Sequence, residues 1–395
     1  MVDLTTDFCG IKLRNPIVAA PAGITESADR LKRCDDAGCG AAVIKSYFQY
    51  EPARHSPSPR FRVLRHQMGR HRTFALYSYE QANVYGLDEF GEQIRTATEQ
   101  CEMPIFSSIN CNTPDRWEES ARVSEQAGAK AIELNVSCPH GTHIMAHCAM
   151  LDTMVEAVEA AKRGAPNTPI IPKVTGQLDN PGGVVRGIAE RGADGVVMFN
   201  RFTGLDIDLE SETPVMHGGY AGHGGPFAIH YVLRWISETY PGLPVPIAGS
   251  GGVTNGGDVA KYILAGATTV QVCTAIVMEG YEVVGKILGG FTEWMERKGH
   301  SDLAAIRGSV CGKIKGNDDV QREQVCAAQI DAEKCVNCGL CGRVCIYGAA
   351  RPAGKVHTVA RETCVGCGLC AELCPASAIA MTELAEPRGF TLGVK

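Results

Sequence analysis

The sequence predicts an α/β chain: a (β/α)8 TIM barrel followed by a small α+β unit organised by cysteines. Three observations carry this. Short apolar runs alternate with amphipathic helical stretches over most of the chain, and polar residues recur where those runs end. Of the 18 cysteines, two sets near the C-terminus share the spacing C-x2-C-x2-C-x3-C.

The expected strands are 17–20, 41–45, 104–109, 131–137, 169–175, 195–200, 245–250 and 268–274. Parallel strands buried on both faces read as near-continuous apolar runs, and eight of them alternating with helices close into a barrel. A doubly wound open sheet is the competing arrangement. Between the strands, helices are expected over 114–127, 150–163, 227–240, 257–265 and 281–298. Ile229, Val232, Leu233 and Ile236 recur at helical spacing, and Asp115 gives the first of these helices an acidic opening turn. Residues 1–299 therefore make the barrel. The mixed-charge segment 300–326 is expected as a linker, 327–385 as the cysteine unit and 386–395 as a tail.

Barrel chemistry is built at the C-terminal ends of the strands. Ala20 closes the first strand and Lys45 the second; Asn110 follows the third. Asn135 and Cys138 close the fourth, Lys173 the fifth and Asn200 the sixth. After the seventh comes Gly249-Ser-Gly251-Gly252, and after the eighth Cys273-Thr274. Loops in those two places bind phosphate in barrels, because glycine lets backbone N–H groups approach the oxygens. Gly222-His-Gly224-Gly225 is a weaker cluster of the same sort. The alternative is that these glycines only make tight turns.

The cysteine runs have the bacterial ferredoxin spacing, in which three consecutive thiolates wrap one [4Fe–4S] cluster and the fourth crosses to the other. Cys335, Cys338, Cys341 and Cys374 are thus expected on one cluster. Cys364, Cys367, Cys370 and Cys345 are expected on the second. The unit repeats, Asp331-Ala-Glu-Lys-Cys-Val-Asn-Cys-Gly-Leu-Cys recurring as Ala360-Arg-Glu-Thr-Cys-Val-Gly-Cys-Gly-Leu-Cys. Zinc is the alternative, but it takes four ligands and closes, leaving the longer runs unexplained. Ile346 stands where Pro375 follows the second run, which does not affect ligation. The scattered Cys9, Cys34, Cys39, Cys101, Cys111, Cys273, Cys311 and Cys326 are read as small core fillers.

Clusters carry single electrons while organic substrates exchange hydride, so a flavin is needed between them. No Gly-x-Gly-x-x-Gly follows a strand in a βαβ unit, so the phosphate site points to FMN, and NAD(P)H is expected to bind another polypeptide. A formal net charge of −6 with no basic cluster makes nucleic acid an unexpected partner. The N-terminus lacks a signal pattern and no stretch is apolar enough to span a bilayer, so a cytoplasmic location is expected.

Glu133-Leu-Asn135-Val-Ser137-Cys138-Pro139-His140-Gly141 resembles a signature of the dihydroorotate dehydrogenase superfamily, and most closely its dihydropyrimidine dehydrogenase branch. Ile44-Lys45-Ser46, Pro172-Lys173-Val-Thr, Asn200-x-x-x-Gly204, Ala248-Gly-Ser-Gly251-Gly252 and Val270-Gln271-Val-Cys-Thr match as well. The resemblance implies an FMN-binding barrel that reduces or oxidises the C5–C6 bond of a pyrimidine. It implies Lys45 and Lys173 on the isoalloxazine, Asn135 and Asn200 on the substrate, and Cys138 as the acid/base. A thiol titrating near 8.5 suits proton transfer close to neutral pH; Cys148 in the same loop is a rival. The expected partner is an FAD- and NAD(P)H-binding flavoprotein subunit or a ferredoxin-type donor, in a homodimer or heterotetramer. Two departures touch the substrate. Ser78-Tyr79-Glu80 stands where the pyrimidine enzymes have Asn-x-Glu, and Arg201 stands where they have threonine. An arginine there suits an anionic substrate, a carboxylate or thioester enoyl compound; the plainer alternative is a salt bridge to Asp206 or Asp208. A module that only relays electrons is the remaining reading. His140, His143 and His147 are read as loop polarity.

Overall fold

The computed structural model describes residues 2–68, 71–136 and 150–388. Two compact units divide at Ile314 and Lys315. In the first, eight parallel strands close on themselves: β1 (Ile17–Ala19), β2 (Ala41–Val43), β3 (Ile105–Asn110), β4 (Ala131–Leu134), β5 (Ile170–Val174), β6 (Val196–Met198), β7 (Ile247–Ser250) and β8 (Thr269–Val272). Closure runs both ways from β1, through Val270↔Ile17 and Val18↔Ala41, and Ala42↔Ile105 seals β2 to β3. A closed sheet has no edge, so the doubly wound alternative falls.

The helices outside it are α1 (Ala28–Asp36), α2 (Leu87–Gln100), α3 (Pro114–Gln126), α4 (Met150–Gly164), α5 (Pro181–Glu190), α6 (Ile229–Thr239), α7 (Gly256–Ala265) and α8 (Val283–Arg297). Local chemistry sets their ends. Ser27 caps α1, Asn180 caps α5 ahead of Pro181, and Asn255 accepts from the Asp258 N–H to open α7. Gly266 ends α7 at φ +116, where a Cβ would lie 2.2 Å from the Tyr240 ring.

Strand periodicity decides what fills the barrel. Val18, Val43, Phe106, Ala131, Ile171, Val197 and Ala248 form one buried cluster with Phe8 and Leu13 of an N-terminal hairpin, Thr6–Phe8 with Ile11–Leu13, which caps it. Two residues further along each strand, on the same face, stand Ala20, Lys45, Ser108, Glu133, Lys173, Phe199 and Ser250. The interior thus turns from apolar to polar toward the C-terminal face.

Two features depart from the sequence reading. Residues 300–314, expected as linker, belong to the first unit: Leu303 and Ile306 are buried, and Gly308 and Val310 donate to the carbonyls of Ile263 and Leu264. The expectation of no basic cluster is also corrected. A four-stranded antiparallel sheet, Phe202–Gly204, Ala221–Gly224, His71–Ser78 and Phe61–Met68, ends in an arginine-rich hairpin. Its alternating charges gave no strand signal because neither face is uniformly apolar.

The second unit pairs Gln324–Ile330 with Ile379–Arg388 and Ala350–Ala353 with Val356–Val359, with short helices Leu340–Val344 and Leu369–Glu372. Among the described residues no helix is long and apolar enough to cross a membrane.

Candidate active site and cluster centre

A cleft opens at the C-terminal ends of the barrel strands. Ala20, Lys45, Ser78, Glu80, Asn135, Lys173, Asn200, Arg201, Gly251, Gly252, Cys273 and Thr274, all singled out from the sequence, line it. Asn110 stands behind this lining, its Nδ2 donating to the Asn135 carbonyl at 2.7 Å. Gly225 adjoins the lining Gly224 at φ +149, and its Cβ position would lie 2.7 Å from the Phe74 carbonyl. Cys138, with Cys148, His140, His143 and His147, lies outside the described residues.

The two lysines are buried against carboxylates. Lys45 Nζ donates to Glu26 Oε1 at 2.9 Å and to Glu80 Oε1 at 3.4 Å. Lys173 Nζ donates to Gln271 Oε1 at 2.7 Å and to Glu133 Oε1 at 3.3 Å, while Gln271 Nε2 donates to Glu133 Oε2 at 2.7 Å. These networks hold both ammonium groups in place beside the cleft, as buried charges require. Burial resists ionisation of Glu26, but Lys45 and Arg30 outweigh it and hold its carboxyl below the usual range. Glu80 also accepts from the Gly23 N–H at 3.0 Å, tying the loop after β1 to the antiparallel sheet.

A second chain of contacts joins the amides. Asn200 Nδ2 donates to Asn135 Oδ1 at 2.9 Å, Asn135 Nδ2 to Ser46 Oγ at 3.1 Å, and Ser46 and Ser108 share a hydrogen bond of 2.7 Å. Arg201 leans across Gly222, where a Cβ would overlap its Cδ and Nε, and donates to Ser78 Oγ at 2.9 Å and the Glu80 carbonyl at 2.7 Å.

Part of the lining is glycine. Gly251 and Gly252 adopt φ +122 and +75, and a Cβ on Gly252 would lie 2.6 Å from the Ile229 N; a Cβ on Gly224 would lie 2.5 Å from Thr274 Oγ1. This is a cradle that side chains would fill, of the kind a phosphate occupies. Burial pushes the Cys273 thiol up to about 11, so it is neutral at pH 7. Sequence reasoning missed Glu26 and His223, which lie in loop and antiparallel sheet. Glu133 and Gln271 had a readable signal, a polar residue at an inward position of an apolar strand.

In the second unit, Cys335, Cys338, Cys341 and Cys374 line one small cavity. Cys364, Cys367 and Cys370 neighbour one another. The halves repeat in detail. Cys335 and Cys364 donate N–H groups to the carbonyls four residues earlier, and the sulfurs of Cys345 and Cys374 each accept from the N–H four residues later, at 3.3 Å. Burial raises the Cys345 thiol, but the N–H groups of Ala350, Ala349, Tyr347 and Gly348 outweigh it and favour the thiolate. Among the described residues no three such side chains converge on a single point. A cubane, with its ligands at separate corners, does not need them to.

The dihydroorotate dehydrogenase profile matches residues 3–295. The chain belongs to that family. Residues 328–381 match the 4Fe-4S dicluster domain, so the barrel of an oxidoreductase acting on CH–CH bonds is followed by an iron–sulfur unit. The chain is 29% identical over 359 residues to the PreA subunit of NAD-dependent dihydropyrimidine dehydrogenase from Escherichia coli, covering 88% of this chain and 86% of that one. It is 31% identical over 309 residues to the catalytic subunit of dihydroorotate dehydrogenase B (NAD(+)) from Methanosarcina mazei, covering 76% and 92%. With the corresponding subunit of Pyrococcus abyssi it shares 28% over 312 residues, covering 77% and 98%.

Proposed function

We propose that this chain is the catalytic subunit of an FMN- and iron–sulfur-dependent oxidoreductase that interconverts an activated C=C bond and its dihydro form. A pyrimidine ring is the leading substrate. The observation that carries this is the convergence of two buried lysines, a linked pair of carboxamides and a glycine cradle on one cleft.

FMN fits that donor set, and when bound it would exchange hydride with the substrate and single electrons with the clusters. Gly251, Gly252 and Thr274 would hold its phosphate. Lys45 and Lys173 would stabilise negative charge on its ring. Asn135 and Asn200 each offer a donor and an acceptor, which suits a planar imide. Their mutual hydrogen bond fixes the rotamers before substrate arrives, and pre-set geometry is where such groups gain rate. In the reducing direction the substrate carbon needs one proton from the face away from the flavin, and Cys138 is assigned that role, with Cys148 as the rival. A relay module would need no such proton donor.

Two [4Fe–4S] clusters per chain are proposed, held by the ligand sets given above. An FAD- and NAD(P)H-binding flavoprotein subunit, or a ferredoxin-type donor, would feed them in the cytoplasm; the named relatives are themselves subunits.

Arg201 favours a second reading, an anionic substrate. Its guanidinium lines the cleft and donates to Ser78 Oγ and the Glu80 carbonyl, and a guanidinium suits a planar carboxylate through paired N–H donors. Under that reading Arg201→Thr raises the KM of the anion and improves turnover of uracil.

Cofactor analysis tests the core of the proposal. Iron and acid-labile sulfide should approach about eight of each per chain, as two clusters require, with FMN released on denaturation. The isolated chain should not oxidise NADH. FAD in the barrel, zinc for iron, or rapid bleaching of the flavin by NADH would each contradict it.

A further inference from the structure

From Pro52 to Tyr79 the chain carries Arg54, Arg60, Arg62, Arg65, Arg70 and Arg72 and neither Asp nor Glu, although its net charge is −6. Most of this cationic stretch forms the hairpin Phe61–Met68 with His71–Ser78. The register shows which side chains share a face. Phe61 opposes Ser78 and Val63 opposes Leu76; Phe61, Leu76 and Ser78 all line the cleft. Directly opposed residues lie on one face of a sheet, and alternate residues along a strand share it. The same face therefore continues outward through Arg65 opposite Phe74 and Gln67 opposite Arg72.

At about 3.4 Å per residue, Arg65 stands roughly 14 Å beyond Phe61, and Arg72 roughly 20 Å beyond Ser78. Both are exposed. Among the described residues neither makes an ion pair. The opposite face is used differently. Tyr77 and Leu64 pack there with Val215 and Ala221, and Arg62 lies near Asp208, whose carboxyl the Ser211 N–H first and Arg62 last hold low. Counter-charge thus serves the outer face, while Arg65 and Arg72 share by register the face that lines the cleft at its inner end.

We propose that this hairpin binds the phosphate groups of an elongated substrate whose reacting C=C end lies in the cleft. The inference rests on the proposed C=C chemistry and names the substrate class for it. Arginine suits phosphate through paired N–H donors. A free pyrimidine base would not reach these residues, whereas a phosphate-bearing handle would. Two kinds of molecule share that chemistry, a pyrimidine nucleotide and an enoyl thioester of a nucleotide-containing carrier such as coenzyme A.

The test uses the full holoprotein and the R65Q/R72Q double variant, with four probes: uracil, uridine 5′-diphosphate, crotonyl-pantetheine and crotonyl-coenzyme A. Calorimetric titration gives binding, and re-oxidation of the viologen-reduced protein gives reaction. One phosphate-bearing probe should bind at least about 10-fold more tightly than its phosphate-free counterpart, with the gap shrinking at high salt. The double variant should remove that gap and keep its flavin, iron and affinity for the phosphate-free probe. Whichever pair shows the gap identifies the source of the phosphate. Equal binding within both pairs, no binding by any probe, or a gap unchanged in the variant would overturn the inference. So would loss of reduction by a protein donor with ligand affinities intact, which would make the hairpin a docking face. A gap without re-oxidation by any probe would instead sink the C=C reading and leave the hairpin's role standing.

Discussion

Glu133→Leu should destabilise the barrel far more than its modest change in size suggests. Glu133 and Lys173 have side chains 3% and 6% exposed and lie 3.3 Å apart inside the barrel. Removing the carboxylate takes the facing charge from a buried ammonium, and breaking such a pair costs about 3–5 kcal/mol. Gln271→Leu is the internal control. It removes a neutral acceptor 2.7 Å from the same ammonium but leaves the ion pair, a loss of about 1–3 kcal/mol. At roughly 2 °C per kcal/mol for a unit of this size, Glu133→Leu should lower Tm by about 6–10 °C and Gln271→Leu by about 2–6 °C. Differential scanning fluorimetry on protein matched for cofactor content reads both. If Gln271→Leu proves as damaging as Glu133→Leu, the charge pair is not what holds Lys173, and the reasoning fails.

Three further outcomes are expected. Cys374→Ser should lower iron from about eight to about four per chain and leave the cluster signal seen in Cys335→Ser, because both belong to one set; a signal matching that of Cys367→Ser would reverse the cross-ligation. Because the folded Glu26 carboxyl titrates below its unfolded value, its stabilising contribution is present above the ordinary carboxylate pKa and is lost as pH falls through the lower folded one. Urea midpoints between about pH 5 and 3 should therefore fall more steeply in the wild type than in Glu26→Gln, and equal slopes would remove Glu26 from the account. Cys138→Ala should keep flavin and iron and slow proton-coupled re-oxidation by roughly 10² or more, as loss of a general acid does; if Cys148→Ala does this instead, the two exchange roles.

The barrel was legible because buried parallel strands leave an apolar trace that little else imitates, and the lysines and amides were legible because strand ends fix where they point. Lys45 and Lys173 share the inward parity of Val43 and Ile171. Asn200 breaks that parity, following Val197 by three, yet still reaches Asn135 because the strand has ended at Met198. Glu26 carried no such signal, since its place beside Lys45 depends on a loop that Glu80, far along the chain, pins through the Gly23 N–H. The antiparallel sheet was missed for a related reason. Its register, not its composition, places Phe61 and Ser78 on the cleft, and register is set by pairing partners far apart in sequence.

Single-turnover re-oxidation separates a C=C reductase from an electron relay. The full protein, reduced by a viologen under anaerobic conditions, is mixed with a candidate substrate while the absorption band of the oxidised flavin is followed. A compound with a C=C bond conjugated to a carbonyl should restore that band and be recovered as its dihydro form, one molecule for each electron pair. A protein that no such compound re-oxidises, while a one-electron acceptor does so at once, would be an electron relay and would contradict the C=C reading.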